Sequence, residues 1–157
     1  MSSVIVEADR LGAPAPFDVL FGQDDGATRI WMIRMVPGPD LRVGLHRHEG
    51  DEIWRVRRGG IRITVGEQRL ECGAGQLVVI PPNTIHGVAV IDNDTEVEAI
   101  GEIGMGEWIT VIDAEGRWRE VEVHVPFVPW HRRAPEGVAP TDLDDMIGML
   151  HSTAHLL

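Results

Sequence analysis

The sequence predicts an all-β fold, a sandwich or barrel, finished by one short C-terminal helix. Three observations point there. Short apolar-rich stretches recur between Gly, Pro, Asn and Asp punctuation, which is how sandwiches and barrels are written. Several of those stretches alternate apolar and polar residues with a period of two, as a strand with one buried face requires. Helical spacing is seen only from Thr141 onward.

Taken in order, RIWMIRMV (29–36) is the first strand and stops at Pro37-Gly38. It is apolar on both faces, with Trp31, Ile33 and Met35 on one and Ile30 and Met32 on the other. Burial on both sides within one subunit satisfies that pattern, and so does a homodimer contact. In EIWRVRR (52–58), Trp54 and Val56 oppose Arg55 and Arg57. After Gly59-Gly60, IRITV (61–65) sets Ile61, Ile63 and Val65 against Arg62 and Thr64, and Gly66-Glu67 makes a hairpin turn into QRLEC. LVVI (77–80) is bracketed by Gly75 and Pro81-Pro82. EVEAIGE (96–102) puts Val97 and Ala99 opposite Glu96 and Glu98. EWITVID (107–113) and RWREVEVHV (117–125) flank a second hairpin at Ala114-Glu115-Gly116.

Residues 1–126 are therefore expected to form the β domain, and 127–157 a proline-rich strap and a helix packed on it. Pro126 to Pro140 reads as an extended strap. Leu143, Met146, Ile147, Leu150, Ala154 and Leu157 then fall at helical spacing, and Thr141 with Asp144 approximates a capping box.

Composition excludes several function classes. A chain of 157 residues makes one domain that buries roughly 70% of its unfolded surface. The net charge of -11 and the absence of lysine argue against nucleic acid and anionic membranes, where basic residues must neutralise phosphate. The missing lysines also exclude Schiff-base chemistry. The single cysteine, Cys72, allows no internal disulfide and fits a cytoplasmic protein; it reads as a small buried residue. The start, MSSVIVEADR, carries no signal-peptide pattern, and no apolar run approaches a membrane span.

Chemistry concentrates in GLHRHEGDE (44–52). Residues two apart on a strand point the same way, so His46 and His48 aim both rings at one point while Arg47 faces away. Glu52 shares their parity and Glu49 does not, which makes Glu52 the third ligand of a metal ion. The fourth must come from elsewhere, and His86, entering a strand after Pro81-Pro82-Asn83, is the candidate.

These residues resemble the motifs of the cupins. The first motif is His-x-His, a Glu four residues later and a Gly seven beyond it, matched by His46, His48, Glu52 and Gly59. The second is Gly, five residues, Pro-x-Gly, two residues and His, matched by Gly75, Pro81, Asn83 and His86. Asn83 stands where the family usually has Gly, a mild change because Asn tolerates a left-handed turn. Val90 replaces a frequent Asn, and Asp40 replaces the leading Gly. The resemblance implies a jelly-roll β-barrel of two antiparallel sheets with a metal inside its mouth.

It further implies one divalent transition metal ion (Fe, Mn, Ni, Co or Zn) held by His46, His48, Glu52 and His86. Such a centre keeps positions open for a small-molecule substrate, an aromatic or keto/enol metabolite. The absence of tyrosine removes the family's sugar epimerases, and Glu52 sets the chain apart from its three-histidine thiol dioxygenases. A dioxygenase ranks first, a polyketide cyclase working by Lewis-acid aldol cyclisation second. A non-catalytic small-molecule sensor is the third reading. Family habit implies a homodimer. His124, His131, His151 and His155 read as surface or hydrogen-bonded residues without a ligand role.

Overall fold

The structure, a computed structural model, describes residues 17–21, 26–27, 29–102, 107–112, 114–123 and 151–157. Eleven strands form among them: β1 (Phe17–Phe21), β2 (Ile30–Met35), β3 (Arg42–His48), β4 (Glu52–Arg58), β5 (Gly60–Val65), β6 (Gln68–Gly73), β7 (Leu77–Ile80), β8 (His86–Val90), β9 (Glu96–Glu102), β10 (Glu107–Ile112) and β11 (Trp118–Val123). They make a five-stranded sheet, β1-β2-β9-β4-β7, and a six-stranded sheet, β11-β10-β3-β8-β5-β6. Every pairing is antiparallel. The fold is an all-β jelly roll, as the sequence predicts.

Alternation decides which face each strand buries. Trp31, Ile33 and Met35 on β2, Trp54 and Val56 on β4 and Val97 and Ala99 on β9 face inward from the first sheet. Ile61, Ile63, Cys72, Val88 and Val90 meet them from the second. Cys72 is buried, and burial raises its thiol pKa, the opposite of what a nucleophile needs. Both expected hairpins close: Gly66 turns β5 into β6 with φ 57°, and the turn at 114–116 joins β10 to β11. The motif glycine Gly59 has φ 67°, and a Cβ there would meet the Thr95 Cα at 2.7 Å; only glycine fits.

Two features differ from the sequence reading. The strand β1 is one the alternation pattern did not reveal. Glu98 points to the outer face of the first sheet yet is only 2% exposed, because Arg34, Arg55 and Arg57 close over it. The strand 30–35 splits its two apolar faces: Trp31, Ile33 and Met35 are core, whereas Ile30 is exposed and Met32 half-buried.

Most of the expected C-terminal helix, residues 141–150, and the strap 126–140 lie outside the described residues, as do His124 and His131. The final residues end in a single 3-10 turn, Ala154–Leu156, with His151 and His155 exposed as expected. Leu157 packs with Leu45 and Ala89 on the outer face of the second sheet. Among the described residues no helix is long and apolar enough to cross a membrane.

Candidate metal centre

The two sheets meet the site from opposite sides. His46 and His48 face inward from β3, and His86, directly opposite His46 in the ladder, faces inward from β8. Residues 49–51 then carry the chain from the second sheet to the first, so Glu52 opens β4 on the facing wall. All four side chains are buried, and one ligand atom from each lies within 4.8 Å of the others. Glu49 is exposed, whereas Glu52 joins the three histidines in the buried cluster.

Each imidazole is oriented from behind. The Nδ1 of His46 donates to the Gly44 carbonyl at 2.8 Å, that of His48 to Gly50 at 3.1 Å, and that of His86 to Thr84 at 2.9 Å. A ring whose Nδ1 carries the proton presents a bare Nε2, and main-chain carbonyls in this place are the usual support of metal-binding histidines. Each carbonyl lies two residues from its ring, a local relation that strand alternation does not reveal.

In front, the Glu52 Oε2 sits 3.1 Å from the His48 Nε2 and 2.9 Å from the His86 Nε2. With their protons on Nδ1, these nitrogens and the carboxylate oxygen oppose lone pair to lone pair. A cation between them resolves the conflict. Ligands about 2.1 Å from a shared ion and about 90° apart, as in octahedral coordination, stand about 3 Å from each other, which matches both separations. The donor set fits a divalent ion.

Electrostatics keep the donors ready. Burial, then the neighbouring His86, lowers the His46 pKa to about 3, so the ring stays neutral. Burial alone would push the Glu52 carboxyl up; positive charge at the facing His48 and His86 nitrogens, from a proton or a cation, overcomes that and holds it well below the usual carboxylate range. Three neutral imidazoles and one carboxylate leave a divalent ion with one net positive charge.

The turn before β8 locks onto β3. Asn83 adopts φ 58° and donates its backbone N–H to the His48 carbonyl at 2.7 Å. Its side-chain oxygen accepts from Arg47, which lies over the Trp108 ring and pairs with Glu120. Asn therefore replaces the usual Gly without losing the left-handed turn, and gains a side-chain bond. Behind the ligands, Trp31 is core and donates its Nε1 to the Glu102 carbonyl. Trp54, two residues beyond Glu52 on the same inner face, is buried with its Nε1 meeting no acceptor.

The profile of the cupin domain family matches residues 31–100, the span that holds all four candidate ligands. Residues 31–100 are a cupin domain. Solved structures share the fold at low identity. The chain resembles KdgF from Halomonas sp. (TM-score 0.54, 16% identity), covering 65% of this chain and 94% of that one. It resembles the polyketide cyclase RemF from Streptomyces resistomycificus (TM-score 0.53, 18% identity), covering 83% and 90%. It also resembles the DMSP lyase DddQ from Ruegeria pomeroyi (TM-score 0.52, 17% identity), covering 67% and 58%. A search of curated proteins gave no significant match.

Proposed function

We propose that this cupin is a metal-dependent enzyme acting on a small aromatic or keto/enol metabolite at the His46, His48, Glu52 and His86 centre. The observation that carries the reading is the meeting of two imidazole nitrogens, each on a ring whose other nitrogen faces a main-chain carbonyl, and a carboxylate oxygen at 2.9 and 3.1 Å. A divalent ion held there supplies Lewis acidity and, if it is iron, dioxygen chemistry. This chain's own residues do the rest. The three carbonyls fix the rings, Glu52 supplies the one negative charge, and the apolar inner faces exclude water. The unused Trp54 N–H, on the same face as Glu52, supports a guest that brings an oxygen acceptor.

Dioxygenase chemistry on a diketone-like substrate is the first reading. Cyclisation of a polyketide is the second, favoured by the likeness to RemF over 83% of this chain and 90% of that one. Elemental analysis of the purified protein, then oxygen uptake with iron and diketones, tests the first. Near-stoichiometric metal with oxygen consumption supports it. Metal without oxygen uptake, but with turnover of a linear polyketone on zinc, supports the second. A protein that binds no divalent ion at all overturns both.

A further inference from the structure

The second sheet has a split beside the candidate metal centre, and the C-terminal residues fill it. The β3–β10 ladder pairs His48 with Glu107, Arg47 with Trp108 and His46 with Ile109, and there it stops. Continued in the same register it would oppose Leu45 to Thr110 and Val43 to Ile112. It stops because β3 bulges between Val43 and His46, where its register against β8 shifts. A bulge leaves a backbone group without its ladder partner, and a buried orphan of that kind costs free energy.

Two hydroxyls take up the orphans. The Thr153 Oγ1 accepts the Leu45 N–H at 2.7 Å and donates to the Thr110 carbonyl at 3.5 Å. It is thus inserted into the bond that the continued ladder would have made directly. The Ser152 Oγ accepts the Ile112 N–H at 3.0 Å. Thr153 is 0% exposed and stands at the N-cap of the 3-10 turn without using its hydroxyl there, where a threonine ordinarily would. Leu157 then seats against Gly87, the neighbour of His86: a Cβ at Gly87 would come to 3.0 Å from the Leu157 side chain and from the Val43 carbonyl. Arg42 donates to the Leu157 carbonyl at 3.0 Å, closing the segment down.

The bulge held in this way contains Gly44, whose carbonyl orients the His46 ring. We infer that the C-terminal segment is a positioning element of the metal centre, with Thr153 acting through the Gly44–Leu45 bulge on His46. The inference rests on the metal reading for its consequence, but its structural step does not need the ion. Removing the Thr153 hydroxyl lets the bulge relax, frees the Gly44 carbonyl and releases the His46 ring from the orientation that presents Nε2.

The experiment compares wild type with Thr153→Val and Thr153→Ser in the full chain. In the metal-free proteins, imidazole 15N NMR reads which nitrogen of His46 carries the proton. Zinc affinity is then measured by competition with a chelator. Thr153→Val should shift the His46 resonances and weaken zinc binding about tenfold to a hundredfold, the usual effect of losing a group that orients a ligand. Thr153→Ser should restore both. A Thr153→Val protein with wild-type resonances overturns the inference, whatever its zinc affinity, because the effect would then not pass through His46. If wild type binds neither zinc nor any other divalent transition metal ion, the metal reading falls while the NMR comparison still decides the structural step. Should Thr153→Val not fold, hydrogen exchange of the wild-type Leu45 and Ile112 amides decides. Slow exchange there supports the plug, and exchange as fast as in an open strand end overturns it.

Discussion

Lowering the pH from 7.5 to 5.5 on the metal-free protein should destabilise it through one side chain, His46. An unfolded histidine has its ordinary pKa of 6.5 and the folded His46 ring about 3. Between those values the unfolded state binds the proton and the folded state does not. Stability is therefore fully present above 6.5 and lost as the pH falls towards 3. At pH 5.5 an unfolded ring of pKa ~6.5 gains RT ln 11, about 1.4 kcal/mol, against about 0.1 kcal/mol at pH 7.5. The result barely depends on the folded value, since any ring that stays neutral at pH 5.5 gives the same loss. Glu52 does not intrude: its stabilisation is lost only as the pH falls below its ordinary 4.5. Urea titrations in excess chelator, on wild type and His46→Leu, isolate the term because the other histidines are common to both. Wild type should lose about 1.3 kcal/mol more than the variant over this interval. Parallel losses would mean that His46 takes up a proton in the folded site, and the claim that burial keeps its nitrogen free for a cation would be lost.

Saturating zinc or cobalt at about 100 times its dissociation constant should stabilise wild type by about 2.7 kcal/mol, a rise of about 5–10 °C in melting temperature. Glu52→Gln should lose most of that rise and Glu49→Gln keep it; the reverse pattern would remove Glu52 from the ligand set. Glu98→Gln removes the buried charge that Arg34, Arg55 and Arg57 share, while Arg34 keeps Glu96 at 3.5 Å, and should cost about 2 kcal/mol in urea unfolding, whereas a loss under about 0.5 kcal/mol would put this ion pair with ordinary surface pairs. Gly101→Ala drives a Cβ into the Trp31 ring and should cost about 1–3 kcal/mol; Gly38→Ala, with open space around it, serves as the silent control. The proposed homodimer has a candidate seat on the outer face of the first sheet, where Leu77 and Val79 are 58% and 53% exposed beside half-buried Ile53. Sedimentation should give twice the chain mass for wild type and the monomer for Val79→Asp.

Residues whose face is fixed by alternation were legible in the sequence. Trp54 and Val56, Ile61 and Ile63, and Val97 and Ala99 all bury the side that the period-two pattern assigns, because on a strand the pleat alone sets direction. The same rule chose Glu52 over Glu49, since the chain crosses between sheets at 49–51 and resumes its alternation at Glu52. Glu98 defeated it: parity correctly sent the side chain outward, but parity says nothing about three arginines from neighbouring strands closing over it. The first strand, Phe17–Phe21, was missed because FDVLF offers too little alternation to stand out from its surroundings.

The orienting carbonyls show where a sequence stops speaking about a site. Gly44, Gly50 and Thr84 act through their main chain, and any residue type offers the same oxygen; only the backbone path aims it. Gly44 is aimed from within a bulge, and a bulge is stable only if its unpaired groups find partners. For β3 that partner is Thr153, 108 residues away from Leu45. The four candidate ligands can thus be read locally, in two short motifs, while the bulge that aims the Gly44 carbonyl is held by a hydroxyl from the C-terminal segment. Substitutions near the C-terminus should for that reason change metal affinity more than their distance in sequence from His46 suggests.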